Sequence, residues 1–312
     1  MDQNKDSRSA RNLYRLTPTA RRLLTATTRG LIECVPNFSV GRDQETIEAI
    51  KQSIAAIPTV KILHQTSDQD HNRTVFTFIG PPQAVTDAAF QAIKTAAEHI
   101  DITKHQGVHP FMGVTDVCPL IPLKNISAKE CLPYADQLAK RVGTELQIPV
   151  FLYEQSATRP ETINLAHIRH GGYRTLPPDY GPPSNSHAGS IAIGVRDLLI
   201  AFNVNLNTND LKIAKKIAKS IREKDGGLAK VKAIGLYLAT TDTAQISMNL
   251  TDYRITPPHT VYQAIEKLAQ QLGTSIKESE LIGLIPQPAL RKGDVEYLKL
   301  KDFSAERILD NH

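Results

Sequence analysis

Residues 73–100 read RTVFTFIGPPQAVTDAAFQAIKTAAEHI and join a predicted β-strand directly to a predicted α-helix. The first eight residues are rich in β-branched and aromatic side chains, which favour strands. Pro82 suits the first turn of a helix, and apolar residues then recur at helical spacing as far as Ile100. This segment therefore predicts one strand–helix unit over residues 73–80 and 82–100.

The alternation of strands and helices continues on both sides of this unit. Apolar and β-branched runs predict strands over residues 31–36, 60–65 and 114–121, and helical spacing of isoleucines predicts a helix over residues 44–57. Together these elements have the order βαββαβ. A further helix over residues 128–146 and a strand over residues 150–153 complete this half of the chain.

The second half repeats the same order after a proline- and glycine-rich irregular stretch, residues 154–188. We predict strands over residues 198–206, 231–239, 244–250 and 281–285, and helices over residues 209–224 and 257–272. The predicted fold class is α+β, with two ferredoxin-like lobes related by duplication. Because an open sheet face must be covered, we expect the two sheets to pack together around a cleft that binds the ligand.

The predicted organisation has four parts. They are a basic N-terminal extension over residues 1–30, which we expect to be disordered, a first subdomain over 31–183, a second over 184–300, and a C-terminal tail over 301–312.

Composition and charge exclude several classes of protein. The chain has 312 residues, of which 41% are apolar, and contains no run of about 18 apolar residues, so we expect no membrane span. The net charge of +5 comes from residues 1–30, which hold seven of 37 basic and two of 32 acidic residues. The remainder is neutral and has no basic motif, so no nucleic-acid partner is expected.

The cysteines indicate the compartment. Cys34, Cys118 and Cys131 are widely spaced, form no CxxC pair and predict no disulfide framework. Residues 1–30 lack the apolar core of a secretory signal. We therefore predict a protein of the cytoplasm.

Polar residues cluster at two predicted strand entrances. The first cluster contains Asp68, Asp70, His71, Asn72 and Arg73. Asn72 and Arg73 could clamp a substrate carboxylate, or could be a turn residue and a member of a surface ion pair. The spacing alone leaves both interpretations open.

The second cluster contains two histidines four residues apart, His105 and His109. That spacing suits two zinc ligands on a helix, but Gly107 and Pro110 make a helix improbable, so no metal site is predicted. His109 could instead be a single titrating imidazole in a shaped loop, or a histidine that only hydrogen-bonds its loop. Asp116 could orient a histidine or cap the next strand.

Several segments resemble those of the formiminotransferase family, in the family's order and spacing over residues 31–290. They are ECVPNFS (33–39), HNRTVFT (71–77), GVHP (107–110), TDVCP (115–119), FLYE (151–154) and AFNVNL (201–206). The resemblance implies the same duplicated, two-lobed architecture. It also implies transfer of a formimino group from N-formimino-L-glutamate to N5 of tetrahydrofolate, a co-substrate, in histidine breakdown.

The resemblance assigns roles to individual residues. The family's catalytic histidine falls on His109, which would act first as general base and then as general acid. Asp116, Asp68 and Asp70 become candidate partners of the cationic formimino group, and Asn72 and Arg73 candidate ligands of the donor carboxylates. The family's folate-contacting stretch falls on Gly181, Pro182, Pro183, Ser184, Asn185, Ser186, His187, Ala188 and Gly189. Family precedent also implies a homodimer acting on small molecules.

The sequence departs from the family pattern beside the catalytic position. Phe111 replaces the family's arginine, Val108 replaces its glutamate, and the loop before Asp179 is shorter. These changes touch the donor side, so two alternatives stand beside the ordinary reaction. One is a folate-dependent transferase or hydrolase with another formyl or formimino donor, and the other is a folate-binding homologue without catalysis. Because only about twenty residues follow Leu290, we expect no counterpart of the larger relatives' cyclodeaminase domain.

Overall fold

A computed structural model describes residues 30–312, in which a seven-stranded sheet and a four-stranded sheet form a mixed α+β architecture. The predicted N-terminal extension lies outside the described residues, except for Gly30. The eleven strands are β1 (Leu31–Cys34), β2 (Asn37–Phe38), β3 (Lys61–Asp68), β4 (Arg73–Gly80), β5 (Thr115–Lys124), β6 (Val150–Leu152), β7 (Ile191–Val195), β8 (Ile200–Leu206), β9 (Val231–Leu238), β10 (Thr243–Leu250) and β11 (Ile276–Ile282).

Five long helices connect these strands: α1 (Gln44–Ala55), α2 (Pro82–His99), α3 (Ala128–Glu145), α4 (Leu211–Ile221) and α5 (Pro258–Gln271). Local chemistry fixes where they begin. The Asp43 side chain accepts hydrogen bonds from the first turn of α1, and Ser127 and Glu130 form a capping box on α3. Pro82 lies in the first turn of α2, as predicted.

The first sheet contains β1 to β7. Both β1 and β2 lie between β4 and β5, with which they pair antiparallel, and β3 forms the antiparallel neighbour of β4. On the other side β5, β7 and β6 are parallel neighbours. The second sheet is antiparallel throughout and has the order β11-β8-β10-β9.

Each sheet has one face covered by helices. Cys34, Phe76, Phe78 and Leu120 share a core with α1, α2 and α3, and a separate core joins the second sheet to α4 and α5. The opposite faces of the two sheets line a common cavity. Strand β4 is buried along its whole length because helices cover one of its faces and the second half of the protein covers the other.

The structure corrects the predicted domain boundaries. Strand β7, which the sequence analysis missed, pairs with β5 and β6, so the first unit extends to Val195 rather than ending at residue 183. Residues 154–188 contain short helical turns instead of being wholly irregular. Residues 301–312 are no separate tail, because Ile308 forms a β-bridge with Ile285 and Leu309 donates a backbone hydrogen bond to the same residue.

Most other predicted elements are present with small shifts of their ends, but the strand predicted over residues 281–285 begins at Ile276 and ends at Ile282. The helix predicted over residues 44–57 ends at Ala55, and the strand predicted over 60–65 extends to Asp68. Among residues 30–312, no helix combines the length and the apolar character that crossing a bilayer requires.

Candidate active site

A cavity of about 610 Å³ lies between the two sheets. Alternate residues of β4, namely Arg73, Val75 and Thr77, form part of its wall on the first sheet. Asn203 and Ser247 contribute from the second sheet. The volume suits a small-molecule ligand, and the mixture of apolar and polar side chains is typical of such sites.

His109 projects from the loop before β5 and lines this cavity. Its Nδ1 lies 2.8 Å from the carbonyl oxygen of Pro110. Because a carbonyl oxygen only accepts, Nδ1 carries the hydrogen and Nε2 has a free lone pair. Burial, together with the positive charges of Arg73 and Arg169, lowers the pKa of His109 well below its usual range. The imidazole is therefore neutral at pH 7 and can accept a proton.

Asp116 is fully buried beneath two arginines. Its Oδ2 lies 2.8 Å from Nη1 of Arg73, and Arg169 donates to both carboxylate oxygens, with Nε 3.2 Å from Oδ1. Burial alone would raise the pKa of Asp116, but Arg169 and Arg73 lower it to about 2. Asp116 makes no hydrogen bond to His109 in the described structure. Its contacts instead hold the guanidinium groups of Arg73 and Arg169, and both of these arginines line the cavity.

The sequence analysis did not identify Arg169. This residue lies in a π-helical turn, Ile168–Gly172, within the stretch predicted to be irregular. It is 53 residues from Asp116, and no spacing in the sequence connects the two. Two buried residues of this turn, Ile168 and Gly172, distinguish it from an exposed loop.

The residues of the polar cluster at the β3–β4 turn have two different locations, on the cavity wall and away from it. Asp68 and Arg73 line the cavity, and their contact with a substrate stays a prediction. Asn72 does not line it, because its Oδ1 accepts from the Gly41 backbone at 2.8 Å and its Nδ2 donates to the Gln106 carbonyl at 3.1 Å. Asn72 is thus a turn residue, with a φ of 45°, that holds the loop carrying His109.

The same turn also connects the two halves of the protein. The Asp70 carboxylate accepts hydrogen bonds from the backbone of Ala239 and Thr240 in the β9–β10 turn. His71 Nε2 lies 3.0 Å from Oε1 of Gln245 on β10. The His71 ring centre is also 5.7 Å from that of His109.

The predicted folate-contacting stretch, Gly181 to Gly189, lies outside the cavity wall. Gly189 forms a β-bridge with Gly113, and Val114 donates a backbone hydrogen bond to Ala188. Ile102 donates another to His187. These contacts brace both ends of the loop that carries His109. Direct contact between this stretch and folate stays a prediction.

The two departures from the family pattern also lie outside the cavity wall. Phe111 packs edge-on against His105, with ring centres 4.4 Å apart, and the Val108 side chain is 41% exposed. Arg73 and Arg169 supply two cations at the cavity without an arginine at position 111. Within residues 30–312, no group of three or more His, Cys, Asp or Glu side chains is arranged to hold a metal ion.

The fold and the cavity define an α+β protein whose small-molecule site lies between two sheets, with a neutral imidazole beside paired arginines. Residues 31–196 match the family model of the formiminotransferase domain, N-terminal subdomain, and residues 201–307 match that of the formiminotransferase domain. The chain belongs to the formiminotransferase family.

Several named relatives are similar over most of this chain. A glutamate formimidoyltransferase of Streptococcus pyogenes is 44% identical over 90% of this chain and 98% of its own length. One of Thermoplasma acidophilum is 45% identical over 90% of this chain and 96% of its own. The formimidoyltransferase-cyclodeaminase of Rattus norvegicus is 42% identical over 83% of this chain, which matches 51% of that longer protein.

Proposed function

We propose that this protein is a glutamate formimidoyltransferase, which transfers the formimino group of N-formimino-L-glutamate to N5 of tetrahydrofolate. The observation that carries the proposal is the neutral His109, with Nε2 unprotonated, beside Arg73 and Arg169 in the cavity. The names of the relatives that are 44% and 45% identical to this chain support the same reaction.

The reaction requires two proton transfers, and one imidazole can make both. As N5 of tetrahydrofolate bonds to the formimino carbon, His109 Nε2 takes the proton from N5. The resulting tetrahedral carbon is bonded at the same time to N5 and to the glutamate nitrogen. His109 then returns the proton to the glutamate nitrogen, the bond from that nitrogen to carbon breaks, and glutamate leaves. The histidine ends in its starting state, and 5-formiminotetrahydrofolate is the product.

The charges on the cavity wall suit the donor. Arg73 and Arg169 can bind the two carboxylates of N-formimino-L-glutamate, since a guanidinium offers paired donors. Asp68 lies on the same wall and can stabilise the cationic formimino group. Asp116, which holds both guanidinium groups from behind, acts through their positions. Because the altered residues 108 and 111 lie outside the wall, the structure gives no reason to prefer a different donor.

We also propose that the two halves are ferredoxin-like units related by duplication. In the second half the order βαββαβ and the sheet order β11-β8-β10-β9 support this. In the first half β1, α1, β3, β4, α2 and β5 have the same chain order, and α3, β6 and β7 extend the sheet. The homodimer and the cytoplasmic location stay predictions, and light scattering of the purified protein tests the first.

A single-turnover assay tests the proposed reaction. Purified protein is mixed with tetrahydrofolate and N-formimino-L-glutamate, and the product is converted by acid to methenyltetrahydrofolate and read by absorbance. We expect turnover by the wild type and a loss of roughly a hundredfold to ten-thousandfold in His109→Gln. His99→Gln, a change at an exposed histidine at the end of α2 and outside the cavity, is the control. Turnover by His109→Gln at the wild-type rate would refute the role of His109.

Other donors are compared in the same assay. N-formyl-L-glutamate replaces the formimino donor, with all other components unchanged. A clear preference of the wild type for the formyl compound would replace the proposed reaction by the alternative one. Binding of folate with no turnover on either donor would leave only a folate-binding protein.

A further inference from the structure

Three polar side chains form a row across the second sheet, on the face that lines the cavity. Asn203 on β8 pairs with Ser247 on β10 and with Glu280 on β11, so the three residues lie side by side on neighbouring strands. All three line the cavity. Side chains paired in this way are roughly 5 Å apart. We call these three residues the polar row, and the proposed proton transfers do not use them.

Asn203 has hydrogen-bonding capacity that the protein itself does not use. It is 4% exposed, and within residues 30–312 its amide group makes no hydrogen bond. The unpartnered polar atoms that are fully enclosed in this part of the chain are threonine hydroxyls, so the Asn203 amide is open to the cavity. Asn205, two residues further along β8 on the same face, differs, because Gln245 and Glu278 hydrogen-bond to both ends of its amide group. A buried amide without a partner is costly, so Asn203 calls for a ligand.

Glu280 supplies an acceptor beside this amide. Its Oε1 lies 3.2 Å from Asn205 Nδ2. Because a carboxylate has about four lone-pair sites, most of its capacity to accept hydrogen bonds stays free. Burial raises the pKa of Glu280, and the hydrogen bond from Asn205 opposes that effect. From β11 to β8 the polar row therefore presents an acceptor followed by an amide group that can donate.

The polar row lies one step along the sheet from the residues around His109. Ser247 is two residues from Gln245 on β10, a separation of roughly 7 Å. Gln245 hydrogen-bonds to His71, whose ring centre is 5.7 Å from that of His109. Because β8 lies between β10 and β11, the β8 residue of the row is nearer than the β11 residue to the strand that contacts His71. A ring that reacts at His109 can therefore present its adjoining edge to the row.

We propose that Glu280 and Asn203 bind the 2-amino-4-oxo edge of the pterin ring of tetrahydrofolate. That edge presents the 2-amino group and N3–H as two adjacent donors, followed by the 4-oxo group as an acceptor. The Glu280 carboxylate accepts from the two donors, and Asn203 Nδ2 donates to the 4-oxo group. Since the 4-oxo group lies directly beside N5 in the ring, this order places N5 on the side of the row that faces His71 and His109. The inference rests on the proposed function for the identity of the ligand.

Calorimetric titration of the full chain with two ligands tests the contact at the oxo group. The ligands are 5-formyltetrahydrofolate, a stable analogue, and the same compound with a 4-amino group in place of the 4-oxo group. In Asn203→Asp, a carboxylate that only accepts replaces the amide that donates. We expect this variant to bind the 4-oxo compound about tenfold to a hundredfold more weakly than the wild type does. Its preference between the two ligands should shift toward the 4-amino compound by about tenfold or more, because the carboxylate can accept from the 4-amino group.

Further variants separate recognition from charge and from folding. Asn249→Asp introduces the same charge on the same face, two residues beyond Ser247 on β10, and should leave the preference between the ligands unchanged. Asn203→Ala should bind the 4-oxo compound about tenfold more weakly. It should melt close to the wild-type temperature, because it removes an amide that has no partner in the described protein. Asn205→Ala, which breaks the hydrogen bonds to Gln245 and to the glutamates, should melt lower.

The contact with the two ring donors is tested at Glu280. Glu280→Gln keeps one acceptor oxygen and replaces the other by a donating NH₂ group, so it should bind 5-formyltetrahydrofolate about tenfold more weakly. Glu154→Gln is the matched control, because Glu154 lines the same cavity but lies 3.7 Å from Lys232 Nζ. Its affinity should equal that of the wild type.

The outcomes that overturn the inference differ from those that overturn the proposed function. Binding of 5-formyltetrahydrofolate by the wild type, with an unchanged preference in Asn203→Asp, would overturn the pterin contact alone. So would a melting temperature of Asn203→Ala as low as that of Asn205→Ala. A higher KM for N-formimino-L-glutamate in Asn203→Asp, without any change in folate affinity, would assign the polar row to the donor and overturn the contact as well. No binding of 5-formyltetrahydrofolate by the wild type would overturn the proposed function and the pterin contact together.

Discussion

His71 in the first half of the protein and Gln245 in the second are joined by a buried hydrogen bond of 3.0 Å between Nε2 and Oε1. Gln245 Nε2 donates in turn to Oδ1 of Asn205 at 2.9 Å. Asn205 Nδ2 lies 3.2 Å from the carboxylates of both Glu278 and Glu280. This series of hydrogen-bonded side chains thus runs from the candidate active site across the second sheet.

This series fixes the tautomer of His71. An ionised carboxylate only accepts, so Asn205 presents its NH₂ group to Glu278 and its oxygen to Gln245. Gln245 must then present its own oxygen to His71, and His71 Nε2 must carry the hydrogen. Burial lowers the pKa of His71, although Asp68 opposes this effect. A neutral imidazole of defined tautomer therefore lies beside His109.

Gln245→Met should remove this constraint. The buried Nε2–H of His71 would lose its acceptor, which should lower the free energy of unfolding by about 1–3 kcal/mol. The NMR chemical shifts of the His71 imidazole nitrogens should change from the values of a single tautomer to those of a mixture of tautomers. Gln270→Met, a change at an exposed glutamine of α5, is the control. A single Nε2–H tautomer in Gln245→Met would show that another group fixes the ring.

Asp116→Asn should destabilise the protein because it leaves two partly buried guanidinium groups without their carboxylate. Breaking a buried pair in this way costs about 3–5 kcal/mol. The matched control is Asp87→Asn, which breaks a pair with Arg141 of the same 2.8 Å length but at 30–40% exposure. That change should cost under about 1 kcal/mol. Chemical denaturation of both variants at pH 7 measures the difference.

The same carboxylate predicts a pH dependence of stability. The pKa of Asp116 is about 2 in the folded protein, against about 3.9 in an unfolded chain. Its ionised form therefore stabilises the fold above pH ~4, and roughly 2 kcal/mol is lost as the pH falls toward 2. Burial of Arg73, which lowers the pKa of that guanidinium to about 10, opposes the pair and reduces its net value. Asp116→Asn should lack this loss of stability in acid. If the free energy of unfolding fell equally with pH in both proteins, the assignment would be contradicted.

Arg169→Met should change both substrate binding and the pH profile. Loss of one guanidinium should raise KM for N-formimino-L-glutamate by roughly tenfold to a hundredfold. Since Arg169 is one of the charges that lower the pKa of His109, the acidic limb of kcat/KM should move to higher pH. Arg174→Met, which removes an exposed cation that stacks on Tyr173, is the control. If the acidic limb of kcat/KM did not move in Arg169→Met, Arg169 would not influence the pKa of His109.

The strand and helix pattern predicted much of the fold because most elements bury one face. The run of β-branched and aromatic residues in β4 could be seen in the sequence, and so could the isoleucine spacing of α1. Strand β7 was missed because five residues, IAIGV, follow a proline- and glycine-rich stretch and form a strand only by pairing with β5 and β6. Its place in the first sheet, and the domain boundary with it, depend on contacts remote in sequence.

Candidate site residues could be predicted from the sequence only where several polar residues cluster within one segment. His109, Arg73 and Asp68 come from two segments whose polar residues cluster in the sequence, and all three line the cavity. Arg169 and Gln245 come from distant segments and meet their partners only through the fold. Asn72 was selected from the same cluster, but its side chain hydrogen-bonds backbone groups and holds a tight turn outside the cavity wall.

Phe111→Arg tests whether the missing family arginine matters. The Phe111 ring packs against His105 and lies outside the cavity wall, where Arg73 and Arg169 already provide two cations. We therefore expect kcat/KM for N-formimino-L-glutamate to stay within about twofold of the wild type. Loss of the ring contact should lower the free energy of unfolding by about 1 kcal/mol, and Phe111→Leu, without a charge, should show the same loss. A tenfold or greater gain in kcat/KM from Phe111→Arg alone would mean that residue 111 reaches the donor. In that case the loop carrying His109 would have to rearrange when the substrate binds, because in the present structure the two cavity arginines and residue 111 occupy different surfaces.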